Sequence, residues 1–240
     1  MRRAAIVLLL LAALLPAAPA AATASAEAAP SYRARTVTLD GVGVRLRRNT
    51  RQVVTVNHTS GHHARVVLWT LRKGRWVAGL RTTDGRIGYG GLVAGTKRKQ
   101  GTGTTPTGTY DLRSAFGTHR RTGAWDLPYR RIRKGDFWVQ DNASDFYNRY
   151  RNQRQGGFRW WLPSSHDDAS ERLTDYGRQY EYSIVLDYNW SQVRRRGSGI
   201  FLHVNGAGAT AGCVSAPRSM LRKLMNRLDP DRDPVIAIGR

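Results

Sequence analysis

The sequence predicts a β-rich α+β fold, a single domain with a few helices. Three observations carry that class. Short apolar segments rich in Val, Ile and Leu recur along the chain, glycine-containing turn dipeptides separate several of them, and only one stretch has a helical period. The 240 residues are 40% hydrophobic, enough for one substantial core and too apolar for a wholly disordered chain. The single cysteine excludes a disulfide scaffold and a thiolate-rich metal cluster.

At the N-terminus, Arg2 and Arg3 precede an apolar run over residues 4–15, then Pro16, Pro19 and the small-x-small sequence Ala24-Ser25-Ala26. This is the layout of a cleavable secretory signal over residues 1–26; the alternative is a retained anchor, although the run is short for a membrane span. The expectation is a secreted protein, at the cell wall or on the periplasmic side of a membrane. Residues 27–50 read as a tether and 51–240 as the folded domain.

Val53, Val54 and Val56 with Thr55 form the first strand candidate, and Val66-Val67-Leu68-Trp69 the next. Lys73-Gly74 reads as a hairpin turn into Trp76-Val77-Ala78, and Asp84-Gly85 as a second turn. Residues 90–108 form a glycine- and threonine-rich loop region. Residues 183–186, 200–204 and 235–238 are short, strongly apolar strands. Leu221, Leu224, Met225 and Leu228 share one helical stripe, for which Ser215 reads as the N-cap and Pro217 as part of the first turn.

Lys and Arg number 39 against 17 acids, a formal net charge of +22. Cleavage after Ala26 would remove only Arg2 and Arg3 and leave about +20. An anionic partner follows. Export lowers the nucleic-acid reading, so Arg130, Arg131, Arg133, Lys134 and Arg194 to Arg196 are expected to meet anionic wall polymers or simply to be solvated. Residues 125–161 hold ten of the 22 aromatics, interleaved with arginines. They read either as a stacking platform for sugars and peptide stems or as core and arginine–aromatic packing.

The chemistry sits near the C-terminus, in IFLHVNGAGATAGCVSAPRSMLRKLM. A strand delivers His203, a glycine-rich loop follows, and Gly212-Cys213 precedes the helix. A lone cysteine in an exported protein is either a buried bystander or a reactive thiol. Gly212 would let a substrate approach the backbone, a helix N-terminus would stabilise a thiolate, and His203 is a base ten residues away.

Gly206, Gly208 and Ala211 match G-x-G-x-x-A after a strand, but too little chain follows for the rest of a dinucleotide fold. Gly90 and Gly95 have P-loop spacing, but Thr96 stands where lysine is required. His58, His62 and His63 lie in a turn without a thiolate or an obvious carboxylate beside them, and the expectation is no metal. His166-Asp167-Asp168 reads as a solvated loop.

HVNGAGATAGCVS resembles the active-site signature of the YkuD-type L,D-transpeptidases, which cross-link peptidoglycan. TPTGTY (105–110) and YEYSIVLDYN before GSGIFLH reinforce the resemblance, which covers roughly residues 50–240 in the expected order. It implies an L,D-transpeptidase-like β-sandwich, Cys213 as nucleophile and His203 as its base. Gly212 and Cys213 amides would serve as oxyanion donors, with Ser215 supporting. The chain departs from many relatives at Ala211, where they carry a second histidine, and at Ser215, where they carry Arg or Asn. Peptidoglycan stem peptides are the implied substrates, the protein is expected to be a monomer, and no cofactor is required. An amine acceptor would give a cross-link, and water would make the enzyme a carboxypeptidase. A papain-like or NlpC-like peptidase would place its cysteine before its histidine, and a wall-binding module would bury Cys213.

Overall fold

In the computed structural model, which describes residues 35–240, the first element is a hairpin. β1 (Arg35–Leu39) and β2 (Val42–Leu46) pair antiparallel across Asp40-Gly41, whose φ values of 52° and 80° fit a two-residue turn matched to strand twist. Leu39, Val42, Val44 and Leu46 turn inward and pack on Val53, Val235 and Ala237. The tether expected over residues 27–50 is corrected from residue 35 onward, because an alternating apolar face in this segment completes a small core. The signal read over residues 1–26 lies outside the described residues.

β3 (Gln52–Ser60), β4 (His63–Arg72) and β5 (Arg75–Arg86) form a meander, with Lys73-Gly74 as the expected turn. Asp84-Gly85 is not a turn. It lies inside β5 at a register shift, with Gly85 opposite Ala64. A Cβ at Gly85 would lie 2.7 Å from the Ala64 carbonyl oxygen and 2.6 Å from a Val66 methyl, so glycine serves a close cross-strand approach. β6 (Leu92–Ala94) leads to the 13-residue β7 (Thr105–Gly117), which β8 (Tyr129–Arg131) pairs in parallel. β9 (Asp136–Trp138), β10 (Tyr150–Asn152) and β11 (Glu171–Arg172) make a separate small sheet.

β12 (Tyr182–Leu186), β13 (Phe201–Val204), β14 (Val214–Ala216) and, after helix α1 (Arg218–Met225), β15 (Val235–Gly239) complete the main sheet. Its order is β12-β13-β14-β5-β4-β3-β15-β7, and β7 also pairs β12, so the order closes. The length of β7 makes this possible: residues 108–111 pair with β15 and 112–117 with β12. Closure leaves no unpaired edge among these eight strands. Leu221, Leu224, Met225 and Leu228 of the expected stripe are buried with Val54, Leu68, Ile184 and Leu202.

The helix starts later than expected. Ser215 lies in β14, and Pro217 occupies the cap position, its carbonyl accepting from the Met220 and Leu221 amides. Parallel pairing with β13 claims residues 214–216 before a helix can begin.

Most of the aromatic segment is core. Phe137, Trp138, Tyr147 and Phe158 are buried, and Arg151 lies over Phe146. Trp160 and Trp161 are the exposed pair. His58, His62 and His63 lie at the β3–β4 turn, and among the described residues no group of His, Cys, Asp and Glu is arranged to hold a metal ion. No helix among the described residues is long and apolar enough to cross a membrane.

The hairpin packing predicts that Leu39→Ala lowers the unfolding free energy by about 2 kcal/mol, the low end for truncating a buried leucine. Urea denaturation measures it; a loss within about 0.5 kcal/mol would be the behaviour of an unpacked tether.

Candidate active site

β13 and β14 run parallel with Leu202 opposite Val214 and His203 opposite Ser215. Continued by one residue, that register sets Cys213 beside Phe201, which places Cys213 and His203 on one face, two residues apart along neighbouring strands. Both open on a groove of about 1780 Å³, with Trp160, Trp161 and Arg194 farther along its lining.

His203 is buried, and its Nδ1 lies 2.8 Å from the Val204 carbonyl oxygen. A carbonyl only accepts, so Nδ1 carries the proton and Nε2 is left as a lone pair. Burial pushes the imidazole down to about 4, which keeps it neutral, the form a general base needs. Tyr180 stands edge-on to the ring at 5.4 Å.

The Cys213 thiol donates to the Gly199 carbonyl at 3.2 Å and accepts from the Phe201 amide at 3.4 Å. Burial, then the charge of Glu171, push the thiol up to about 12; the Phe201 amide and Arg98 act against them and are outweighed. The expectation of a thiolate stabilised by a helix N-terminus is therefore corrected. A strand separates Cys213 from α1, and the dipole's influence falls off within one turn. The resting pair is a neutral thiol and a neutral imidazole, and the thiol must leave Gly199 to reach His203 Nε2.

Residues 51–236 match the L,D-transpeptidase catalytic domain of the YkuD family. The chain belongs to that family. Among solved structures it is similar to a mutant of the helical cell shape determining protein Pgp2 from Campylobacter jejuni, at 13% identity and a TM-score of 0.42. That similarity covers 80% of this chain and 48% of the other, so the chain spans about half the length of that protein. No curated protein matches it.

The YkuD signature elements meet in space. Thr105, the first residue of TPTG, is fully buried; its hydroxyl accepts from the Gly88 amide and donates to the Gly212 carbonyl, with the Cys213 carbonyl 3.3 Å away. Thr210 adds a 2.6 Å bond to the Cys213 carbonyl and accepts from the Gly212 amide. That second bond engages the Gly212 amide, which was expected to face an oxyanion. Among the described residues the Cys213 amide has no protein acceptor, so it is the donor left for an oxyanion. Ser215 is fully buried and donates to Asn205 Oδ1 at 2.7 Å. It ties β14 to the loop after His203, a supporting role different from the helix cap expected of it.

Arg98, Tyr180 and Glu171 also line the groove and were not singled out by the sequence. Arg98 is buried, its Nε bonded to the Thr104 carbonyl at 2.6 Å. A Cβ on Gly212, whose φ is +128°, would lie 2.7 Å from Arg98 Nη2 and 2.9 Å from the Thr104 oxygen. The glycine before Cys213 thus lets the chain cross this arginine. In the sequence Arg98 is one of several bases in TKRKQ, and nothing local sets it apart.

Gly212→Val should abolish acylation while Ser215→Ala, which removes a single buried hydrogen bond worth about 1 kcal/mol, should leave most of it. Intact-mass measurement of the acyl adduct ranks the two, and the reverse order would refute the assignment. The thiol also predicts a pH response. Below its pKa the thiolate fraction grows with pH, so iodoacetamide modification of Cys213 should accelerate about tenfold per pH unit between roughly pH 7 and 9. A plateau in that range would reveal a preformed thiolate–imidazolium pair.

Proposed function

We propose that this protein is an exported, cysteine-dependent L,D-transpeptidase that acylates Cys213 with a peptidoglycan stem and transfers the acyl group to an amine of a second stem. One observation carries the reading: in a YkuD-family chain, the single thiol and an imidazole with its Nε2 lone pair free face the same groove. A non-catalytic wall-binding module would have no need of either group there.

His203 Nε2 takes the thiol proton as Sγ attacks the carbonyl at the L-centre of the diamino acid. Charge develops on the carbonyl oxygen and is met by the Cys213 amide. Collapse expels D-alanine, whose amine receives the proton from His203, and leaves a thioester. An incoming amine reverses the sequence: it adds to the thioester carbon, its proton passes through His203 to sulfur, and the C–S bond breaks. Water in place of the amine makes the enzyme a carboxypeptidase. The net positive charge supports association with anionic wall polymers, a second, non-specific contact.

Intact-mass detection of an adduct with a carbapenem or a tetrapeptide donor tests the reading. The adduct is expected on the native protein and absent from Cys213→Ser. His203→Ala should lower kcat by about 10²–10⁴, the range for loss of a general base. Turnover surviving in Cys213→Ser would overturn the proposal.

A further inference from the structure

The groove holds a carboxylate for which the acylation half of the reaction has no use. Glu171 opens β11, opposite Trp138 of β9. Trp138 packs on Phe201 with ring centroids 4.8 Å apart, and the Phe201 amide is the one that donates to Cys213 Sγ. One aromatic layer therefore separates the backbone of Glu171 from the strand beside the nucleophile. The Tyr180 hydroxyl donates to Glu171 Oε1, and the same tyrosine stands against His203. Glu171, Tyr180, His203 and Cys213 all line the one groove.

Several carboxylates of this arginine-rich chain are neutralised by a cation. Asp141 and Asp168 share Arg159, Glu181 takes Arg218 and His119, and Asp40 takes Arg65. Glu171 has no cationic partner among the described residues, and its Oε2 has no hydrogen-bond donor there. Burial raises its proton affinity to about 7, so near neutral pH it is both a charge awaiting a cation and a stronger base than an ordinary carboxylate. A cation supplied by a ligand would satisfy it. In transpeptidation one substrate brings such a group, because the acceptor amine is an ammonium at neutral pH and cannot attack until it loses a proton.

We propose that Glu171 binds the ammonium of the acyl acceptor and removes its proton, so that Glu171 is the base of the transfer half-reaction as His203 is of the acylation. The inference rests on the transpeptidase reading above. In the step, R–NH3⁺ gives one proton to the Glu171 carboxylate. The nitrogen lone pair forms the C–N bond at the thioester carbon, and the C–S bond breaks. The second proton of the amine reaches sulfur through His203, and the Glu171 proton leaves to solvent along the groove. Amide, thiol and one released proton balance the ammonium and thioester consumed.

The test uses the full chain and two versions of one tetrapeptide: one with its side-chain amine free, donor and acceptor at once, and one with that amine acetylated, donor only. Glu171→Gln keeps the size and an acceptor for Tyr180. With the free-amine peptide, its ratio of cross-linked dimer to hydrolysed product should fall about 10²-fold, the low end for losing a general base, with the acyl-enzyme still detectable by mass. In native protein, a stem whose side-chain amine is trimethylated carries the charge but cannot be acylated, and it should lower the same ratio. This second measurement needs no variant to fold. An unchanged ratio in Glu171→Gln, no effect of the trimethylated stem, or native protein that acylates but transfers only to water would each overturn the proposal. So would an equal loss of adduct from the acetylated peptide, which would make Glu171 a structural support for Tyr180 and His203. Absence of any adduct on native protein would instead defeat the transpeptidase reading, and this inference with it.

Discussion

The Thr105 hydroxyl holds three backbone groups at once: it accepts from Gly88, donates to Gly212 and lies within reach of the Cys213 carbonyl. Through it the start of β7 fixes the turn that carries Cys213. A net contribution of about 1 kcal/mol per hydrogen bond understates its importance. Removing the hydroxyl would leave a buried amide and a buried carbonyl unpaired, each costing about 1–3 kcal/mol. The close passage of Gly88 under Gly212 leaves no room to repack, since a Cβ on Gly88 would lie 2.9 Å from the Gly212 Cα. The threonine of TPTG and the Gly-Cys pair, 107 residues apart, are thus two halves of one joint.

With the cysteine turn fixed, the β13–β14 ladder decides what the thiol can meet. Parallel strands bring His203 and Cys213 to one face, and the Val204 carbonyl selects the tautomer that leaves Nε2 as a lone pair. Electrostatics then set the resting state. Arg98 and the Phe201 amide favour the thiolate, but burial, reinforced by the charge of Glu171, outweighs them. A neutral thiol is a poor nucleophile compared with a thiolate. In the proposed reaction, proton transfer to His203 is therefore coupled to attack on a bound carbonyl instead of preceding it.

The arginines show how composition divides between structure and surface. Arg159 clamps Asp141 and Asp168 in the loop region carrying Trp160 and Trp161, Arg149 lies 4.0 Å over Trp190, and Arg98 forms part of the floor beneath Gly212. Planar guanidinium groups suit these roles better than lysine because they stack and fork. Some of the positive charge is therefore already engaged within the fold.

The sequence by itself determined the β-rich class, the Lys73-Gly74 hairpin and the apolar stripe of α1, because each is a local pattern, and it placed a lone thiol ten residues after a histidine. Asp40-Gly41 is equally legible as a turn between alternating apolar residues, although the segment lies in the expected tether. Asp84-Gly85 carries the same dipeptide and is no turn, because the tight approach of Ala64 and Val66 comes from a strand about twenty residues away. Ser215 looked like a helix cap until the ladder with β13 claimed it. Arg98 and Glu171 had no local mark at all. Their proximity to Cys213, and the burial that sets its proton affinity, exist only once the sheet has closed and segments about 40 to 115 residues away are packed around the thiol.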